Sequence, residues 1–383
     1  LEPGLTVGFV DVPGHERFIK NMLAGVGALD VAMFVVAADA GWMPQSEEHL
    51  AVLDLLEVRH GVIALTRIDL ADEETQLLAE LEIAEQVAET VMEDWPVVAV
   101  SPVTGAGLDD LIAALAAAVR AAGPSVDIGR PRLWVDRSFT IAGAGAVVTG
   151  TMTGGTLTRG QEVNLFPGAT PLRIRNLQVH EHDVAHIGPG TRAAVNVTGS
   201  GIDALARGSM LGDVGHFRAT HRALAELRTV RTLEAPLTDR GAYHLHVGSG
   251  SWPVDVRTVE SASVTGSGAI LIDLPEAIPL VLGDRYILRE SGRRAVVGGG
   301  RILDPHPPRK VDTATLPELR RALDASPAER AQVLLDLRGQ ETTRHLAADS
   351  GGGVVTGLLA GDVGIADWRA AALQTDLRES VAA

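Results

Sequence analysis

The feature that most constrains this chain is a change of hydrophobic period near residue 124. Before it, apolar runs alternate with helical patterns. Residues 31–38 (VAMFVVAA), 62–65 and 97–100 are short and almost uninterrupted. The stretches 47–56 and 73–91 between them read as helices. A run that is apolar at every position suits a parallel strand covered on both faces, so 31–38 reads as a central strand. A strand is also expected over residues 5–10. Leu111, Ile112, Leu115 and Val119 recur at helical spacing, and the alanines between them favour a closing helix. Alternation of this kind specifies an α/β domain with a parallel sheet.

From residue 133 to about 305 the helical period is gone. Short β-branched runs such as AVVTGTM, EVNLF, RIRNLQV, AILIDL and RYILR are broken by Gly, Asp and Pro, the pattern of small β-barrels. The expected order is an α/β domain over 1–123, a linker over 124–132, one barrel over 133–216, a second over 217–305 and a helical segment over 306–383. The last opens with a proline-stiffened linker, PHPPRK. Ser326, Pro327 and Glu329 then form the pattern of a capping box with proline at the first helical position.

Composition narrows the chemistry. The 383 residues are 46% hydrophobic and 21% charged, as in a globular protein, and contain no cysteine. A disulfide framework, a thiolate metal site and a cysteine nucleophile are excluded. No stretch reads as a signal peptide or a bilayer span, so the cytoplasm is the expected compartment and no membrane is involved. The net charge of −16 argues against non-specific nucleic-acid binding, although a local basic patch remains compatible. Lys20 and Lys310 are the only lysines. Basic work falls to arginine, which stays charged and grips anions with paired bonds.

Three segments in the α/β region carry chemistry. DVPGH (residues 11–15) follows the expected first strand. Asp11 there would hold a magnesium ion through water, and Gly14 would let its N–H approach a terminal phosphate. TRID (66–69) follows the run 62–65. Asp69 would accept the N1–H and exocyclic amine of guanine, with the stem of Arg67 over the ring. SPVTGAGL (101–108) follows 97–100, and Ser101 would brace a loop whose backbone reads the base edge. Each alone is an ordinary turn. Together, in this order and each after an apolar strand, they fit a ligand at the carboxyl edge of an open α/β sheet.

These segments resemble the motifs of the translational GTPases of the elongation factor Tu family, and the resemblance extends over both barrels. It implies a P-loop GTPase-type domain followed by two barrels, with GTP and Mg2+ as cofactors. It makes His15 the residue that orients the attacking water, and Asp11, Gly14, Thr66, Arg67, Asp69, Ser101 and Val103 the nucleotide contacts. Thr66 stands where the family usually has Asn. Pro102 stands where a backbone N–H usually meets guanine; either the contact shifts to a neighbour such as Val103 or the affinity is weakened. The phosphate loop G-x-x-x-x-G-K-[ST] needs a Gly-Lys pair, and neither lysine follows a glycine. The resemblance puts that loop upstream of Asp11. Because the chain opens on Leu1 beside a strand-like run, it reads as N-terminally truncated. It is expected to bind GTP poorly and to be inactive by itself, the intact protein being the GTPase.

Within the family, the segment VDRSFTIAGAGAVVTGT (135–151) and GTRAAVN (190–196) resemble the selenocysteine-specific branch. The Gly-x-Gly at 143–145 is not a dinucleotide fingerprint, since β-branched residues follow it and no helix. The branch has an Asp-Arg pair, here Asp136 and Arg137, where the general factor has two acidic residues, and Arg192 occupies its basic position. The resemblance implies an aminoacyl-tRNA pocket at Asp136, Arg137 and Arg192, in which the arginines face an anionic selenol. The implied partners are selenocysteinyl-tRNA, the ribosome, and an mRNA hairpin through winged-helix modules largely outside this sequence. A monomer is expected. Two alternatives stay open: another factor of the elongation factor Tu type, and a non-catalytic tRNA-binding scaffold with a decayed nucleotide site.

Overall fold

The computed structural model describes residues 7–12, 29–141, 145–355, 358–360, 362–367 and 369–370. The chain divides into two compact units, Leu1–Ser125 and Val126–Ala383.

The first unit is α/β. Strands β1 (Ala32–Ala37), β2 (Gly61–Thr66) and β3 (Val97–Ala99) pair in parallel in that order. Helices α1 (Pro44–Leu55), α2 (Glu73–Val87) and α3 (Leu108–Ala122) follow them. Proline occupies the first turn of α1, where its missing N–H costs nothing. Asp72 caps α2 by accepting the Thr75 N–H at 2.9 Å. That helix stops at Val87 and not at 91, because Ala88 leaves the helical conformation and Glu89 takes φ 60°.

Two strand expectations need correction. In β2 every residue from Gly61 to Leu65 is buried, as a doubly covered strand requires. In β1 only alternate residues are: Phe34 and Val36 are buried, whereas Met33 and Val35 are 42% and 53% exposed. Among the described residues β1 is an edge strand covered on one face. Its continuous apolar run misreads as central because a run reports composition, not neighbours. Of the strand expected over residues 5–10, the first two residues lie outside the described ones; residues 7–10 make no ladder among the described residues, and Phe9 is 67% exposed. Without a paired edge, that backbone gains nothing from strand geometry.

The second unit begins with a closed six-stranded barrel. Its strands are β4 (Arg132–Trp134), β5 (Arg137–Ile141), β6 (Gly145–Thr153), β7 (Glu162–Phe166), β8 (Thr170–Val179), β9 (His182–Val184), β10 (Arg192–Thr198) and β11 (Met210–Asp213). The ring runs β8-β10-β6-β4-β11-β7 and back to β8; β5 adds to β6, and β9 to β8. Val148, Met152, Leu165, Ile174 and Val195 fill its interior. Gly145 begins β6 and pairs with Ile141, whereas Gly143 and Ala144 of the glycine segment lie outside the described residues.

The next barrel is β12 (Ala219–Thr229), β13 (Tyr243–Val247), β14 (Gly250–Thr258), β15 (Ser267–Pro279), β16 (Arg285–Glu290) and β17 (Ala295–Asp304), closed in the order β12-β15-β14-β13-β16-β17. Trp134, Phe166 and Met210 of the first barrel join its core, and Trp134 meets Trp252 edge-on at 6.3 Å. Gly248 is required at this seam. Its φ is +53°, and a Cβ there would fall 2.3 Å from the Trp134 ring.

The chain ends in α4 (Leu316–Ala322), α5 (Pro327–Arg338), β18 (Gln340–Thr342), α6 (Thr343–Ser350), β19 (Leu358–Ala360) and β20 (Val363–Ile365), the strands forming a small antiparallel sheet. The capping box at Ser326 and Glu329 is formed, with Pro327 behind it. These helices share a core with the second barrel: Leu316, Leu319, Leu334 and Leu346 pack with Leu224, Leu282 and Leu303. Beside that core lies an ion network. Arg338 contacts Asp304 at 2.6 Å and Asp349 at 2.7 Å, and Asp349 also meets His306 at 3.1 Å. Burial would raise the Asp349 carboxyl, but His306 and Arg338 hold it below the ordinary carboxylate range. No helix among the described residues is long and apolar enough to cross a membrane.

Candidate functional site

Two groups of residues deserve a chemical reading, one in each unit. In the α/β unit, β1, β2 and β3 end side by side. Ala37 pairs with Thr66 and Leu65 with Ala99, so the loops after all three strands leave one edge of the sheet. Thr66 Oγ1 donates to Val36 O at 3.2 Å and ties the ends of β1 and β2 together. Arg67 takes a left-handed backbone, φ 60°, and its guanidinium reaches Asp39 at 3.3 Å. It therefore points back over the β1 loop. Asp69 lies in a single 3-10 turn, Ile68–Leu70, with its carboxylate exposed.

The loop after β3 is tightly wound. Val100 N donates to Leu65 O at 2.8 Å, which holds its start against β2. Ser101 is fully buried, and its Oγ accepts the Thr104 N–H at 3.2 Å. Gly105 N donates to Ser101 O, and Ala106 N to the Thr104 hydroxyl. Pro102 has no N–H. Val103, the next residue, is 83% exposed. Gly107 closes the loop at φ +70°, where a Cβ would come within 2.0 Å of Ala99 O, and α3 starts next to it. Asp69 and Val103, both exposed, lie on the loops that follow the adjacent strands β2 and β3 at one sheet edge.

The other nucleotide residues stand differently. Asp11 is described and exposed, but no strand pairing among the described residues joins residues 7–12 to the sheet. Gly14 and His15 lie outside the described residues. Among the described residues no three carboxylates or histidines gather as a metal site would require.

In the first barrel, Arg137 sits opposite Thr149 on β6, and Arg192 opposite Thr151. Directly paired residues share a face, and Thr149 and Thr151 alternate with the buried Val148 and Met152. Arg137, Thr149, Thr151 and Arg192 therefore occupy one outer face. Asp136 joins them. Its Oδ2 accepts from Arg192 Nη2 at 2.6 Å, and its Oδ1 accepts from the Thr149 hydroxyl. Arg137 is exposed and makes no ion pair or hydrogen bond among the described residues. Two cations and one carboxylate leave a single net positive charge, localised on Arg137. Sequence reading had the three charged residues but missed Thr149 and, at the other site, Asp39. Both are common residue types with no motif of their own, and only strand register reveals them.

The family model described as "Elongation factor Tu GTP binding domain" matches residues 3–121. That described as "Selenocysteine-specific elongation factor, beta-barrel domain" matches residues 221–309. A selenocysteine-specific elongation factor of Desulfomicrobium baculatum is 36% identical over 80% of this chain, which spans only 48% of that protein's length. Translation initiation factor 2 subunit gamma of Thermococcus kodakarensis is 32% identical, over 77% of this chain and 79% of its own length. Among solved structures, a bacterial selenocysteine-specific elongation factor superposes with a TM-score of 0.82. It covers 96% of this chain and 62% of that one at 24% identity, a likeness of fold.

Proposed function

This chain belongs to the translational GTPases of the elongation factor Tu type, and we propose that it is part of a factor that carries selenocysteinyl-tRNA to the ribosome in the cytoplasm. In this reading Asp69 accepts two hydrogen bonds from guanine, Val103 N–H donates to its oxygen, Ser101 and Thr66 hold the two loops, and the stem of Arg67 covers the ring once it releases Asp39. Asp11 binds magnesium through water, Gly14 approaches the terminal phosphate, and His15 orients the hydrolytic water. The last two assignments rest on the sequence pattern DVPGH alone. Bound Mg2+ would supply charge neutralisation at the phosphates. Further C-terminal modules would read an mRNA hairpin, and the factor acts as a monomer.

The observation that carries the reading is the gathering of Asp136, Arg137 and Arg192 on one barrel face, with Arg137 uncompensated. A selenol is far more acidic than a serine hydroxyl and is an anion near neutral pH. An exposed guanidinium attracts that anion and gains nothing from a neutral hydroxyl. The test is a pair of variants, Arg137→Ala and Arg192→Ala, in the full-length gene product loaded with GTP. Protection of the aminoacyl ester would measure affinity. Selenocysteinyl-tRNA binding should weaken about tenfold, the worth of one or two charge-assisted bonds, with seryl-tRNA binding nearly unchanged. Equal losses for both tRNAs would point to an initiation-type or general factor instead.

A further inference from the structure

We propose that Thr149 is a positioning residue that sets where charge is left open at the barrel site: its hydroxyl orients the Asp136 carboxylate onto Arg192 and so keeps Arg137 free for an anionic ligand. The inference rests on the reading of that face as the aminoacyl site.

The geometry separates two roles that the sequence does not. Asp136 is bonded to Arg192 and precedes Arg137 in the chain, and a carboxylate free to turn can accept from either cation. Were the carboxylate free to turn, Asp136 could be shared between Arg137 and Arg192. No cation would then be left unpaired, and an incoming anion would have to break an ion pair to bind. The structure shows another arrangement. Arg192 takes Oδ2, and the Thr149 hydroxyl takes Oδ1. Asp136 is further pinned by its own N–H, which donates to Thr149 O at 2.9 Å.

Thr149 is suited to this task by its place in the sheet. It lies in the middle of β6, opposite Arg137, with Val148 and Gly150 buried on either side. β-branching restricts its χ1, so the hydroxyl direction is set by the strand. It is also neutral. It can fill a carboxylate oxygen without adding a charge that an anion would meet. A cation in its place would add to the field, and an apolar residue would release Asp136 to Arg137. Thr149 therefore acts through Asp136 and not on the ligand itself.

The test uses Thr149→Val, which keeps the shape and removes the donor, and Thr149→Ser, which keeps the donor. Both are made in the full-length gene product beside Arg137→Ala. The readout is the ratio of selenocysteinyl-tRNA to seryl-tRNA affinity, with thermal unfolding as the check on folding. Thr149→Val should lower the ratio about fivefold to tenfold by weakening selenocysteinyl-tRNA alone, at an unchanged melting temperature. Thr149→Ser should restore at least half of the loss. With Asp136→Ala already present, Thr149→Val should change the ratio by less than twofold, because the carboxylate it restrains is gone. If Arg137→Ala lowers the ratio and Thr149→Val does not, the positioning role is overturned and the aminoacyl site stands. If Arg137→Ala leaves the ratio unchanged, both fall. A fall in melting temperature with equal losses for both tRNAs would mark Thr149 as structural and overturn the role as well.

Discussion

Residues 1–125 carry 21 carboxylates against 5 lysines and arginines, whereas residues 126–383 carry 28 of each. The whole net charge of the chain resides in the α/β unit. There the acidic side chains are largely solvated: Glu73, Glu74, Glu80 and Glu85 of α2 are all exposed. In the barrel unit acids and arginines are matched, and several pairs are driven inside. Asp304 and Asp349 are buried, each against Arg338. The contrast bears on anions: by net charge a polyanion would meet repulsion from the first unit and a balanced surface charge on the second, where arginines are not outnumbered. It also says where charge supports the fold. Solvated acids contribute little, while a buried pair is costly to break.

Three experiments would break or sharpen this contrast. The largest effect is expected from Asp349→Asn. It leaves Arg338 short of a carboxylate in a buried setting, at a cost of about 3–5 kcal/mol. Amide hydrogen exchange should show lost protection in α5, α6 and β17 and none in residues 29–125. Uniform loss over both units would contradict the local role of the network. Next is Gly107→Ala in the α/β unit. Its left-handed backbone and the 2.0 Å approach to Ala99 O make a side chain strained there, by about 1–3 kcal/mol. The loss should appear in the 101–107 loop and the start of α3, with no change in the barrels. A neutral outcome would show that this loop is not held as tightly as its hydrogen bonds suggest.

The smallest effect is pH dependence. Asp349 and Glu341 both sit below their ordinary values: burial opposes this, and it is overcome by His306 and Arg338 at Asp349 and by the Thr342 N–H, His345 and Arg338 at Glu341. A carboxyl depressed in the folded state stabilises above its unfolded pKa, about 4, and loses that contribution as pH falls through the folded value. Acidification below about pH 4 should therefore lower the melting temperature of the barrel unit. The slope should be shallower in Asp349→Asn, which has no carboxyl to protonate. An identical slope would place the acid sensitivity elsewhere.

Much of the fold was legible because periodicity and turn chemistry are local. The capping box at Ser326, the closing helix at Leu111 to Val119 and the barrel texture after residue 133 follow from side chains close in sequence. The misreadings share a cause. The run 31–38 looked central, yet Met33 and Val35 face solvent, because what covers a strand is decided by distant chain. Residues 7–10 looked like strand, but a ladder needs a partner that composition does not name. At the sites, the charged residues stood out by motif, whereas Thr149 and Asp39 did not. A threonine in a strand and an aspartate in a turn are unremarked until register places them beside Asp136 and Arg67.

The sequence by itself determined the strand–helix and barrel texture and the residue types at the sheet edge, because these depend on short-range pattern and side-chain chemistry, and the family resemblance pointed to Asp136, Arg137 and Arg192. Only the tertiary structure decided how those charges are shared. Arg192 lies 55 residues beyond Arg137 in the chain, and strand pairing across β5, β6 and β10 puts both on one face. That pairing gives Asp136 to Arg192 and Thr149 and leaves Arg137 without an ionic partner among the described residues. An ion pair is set by distances of a few ångströms, and those are fixed by register between strands far apart in sequence.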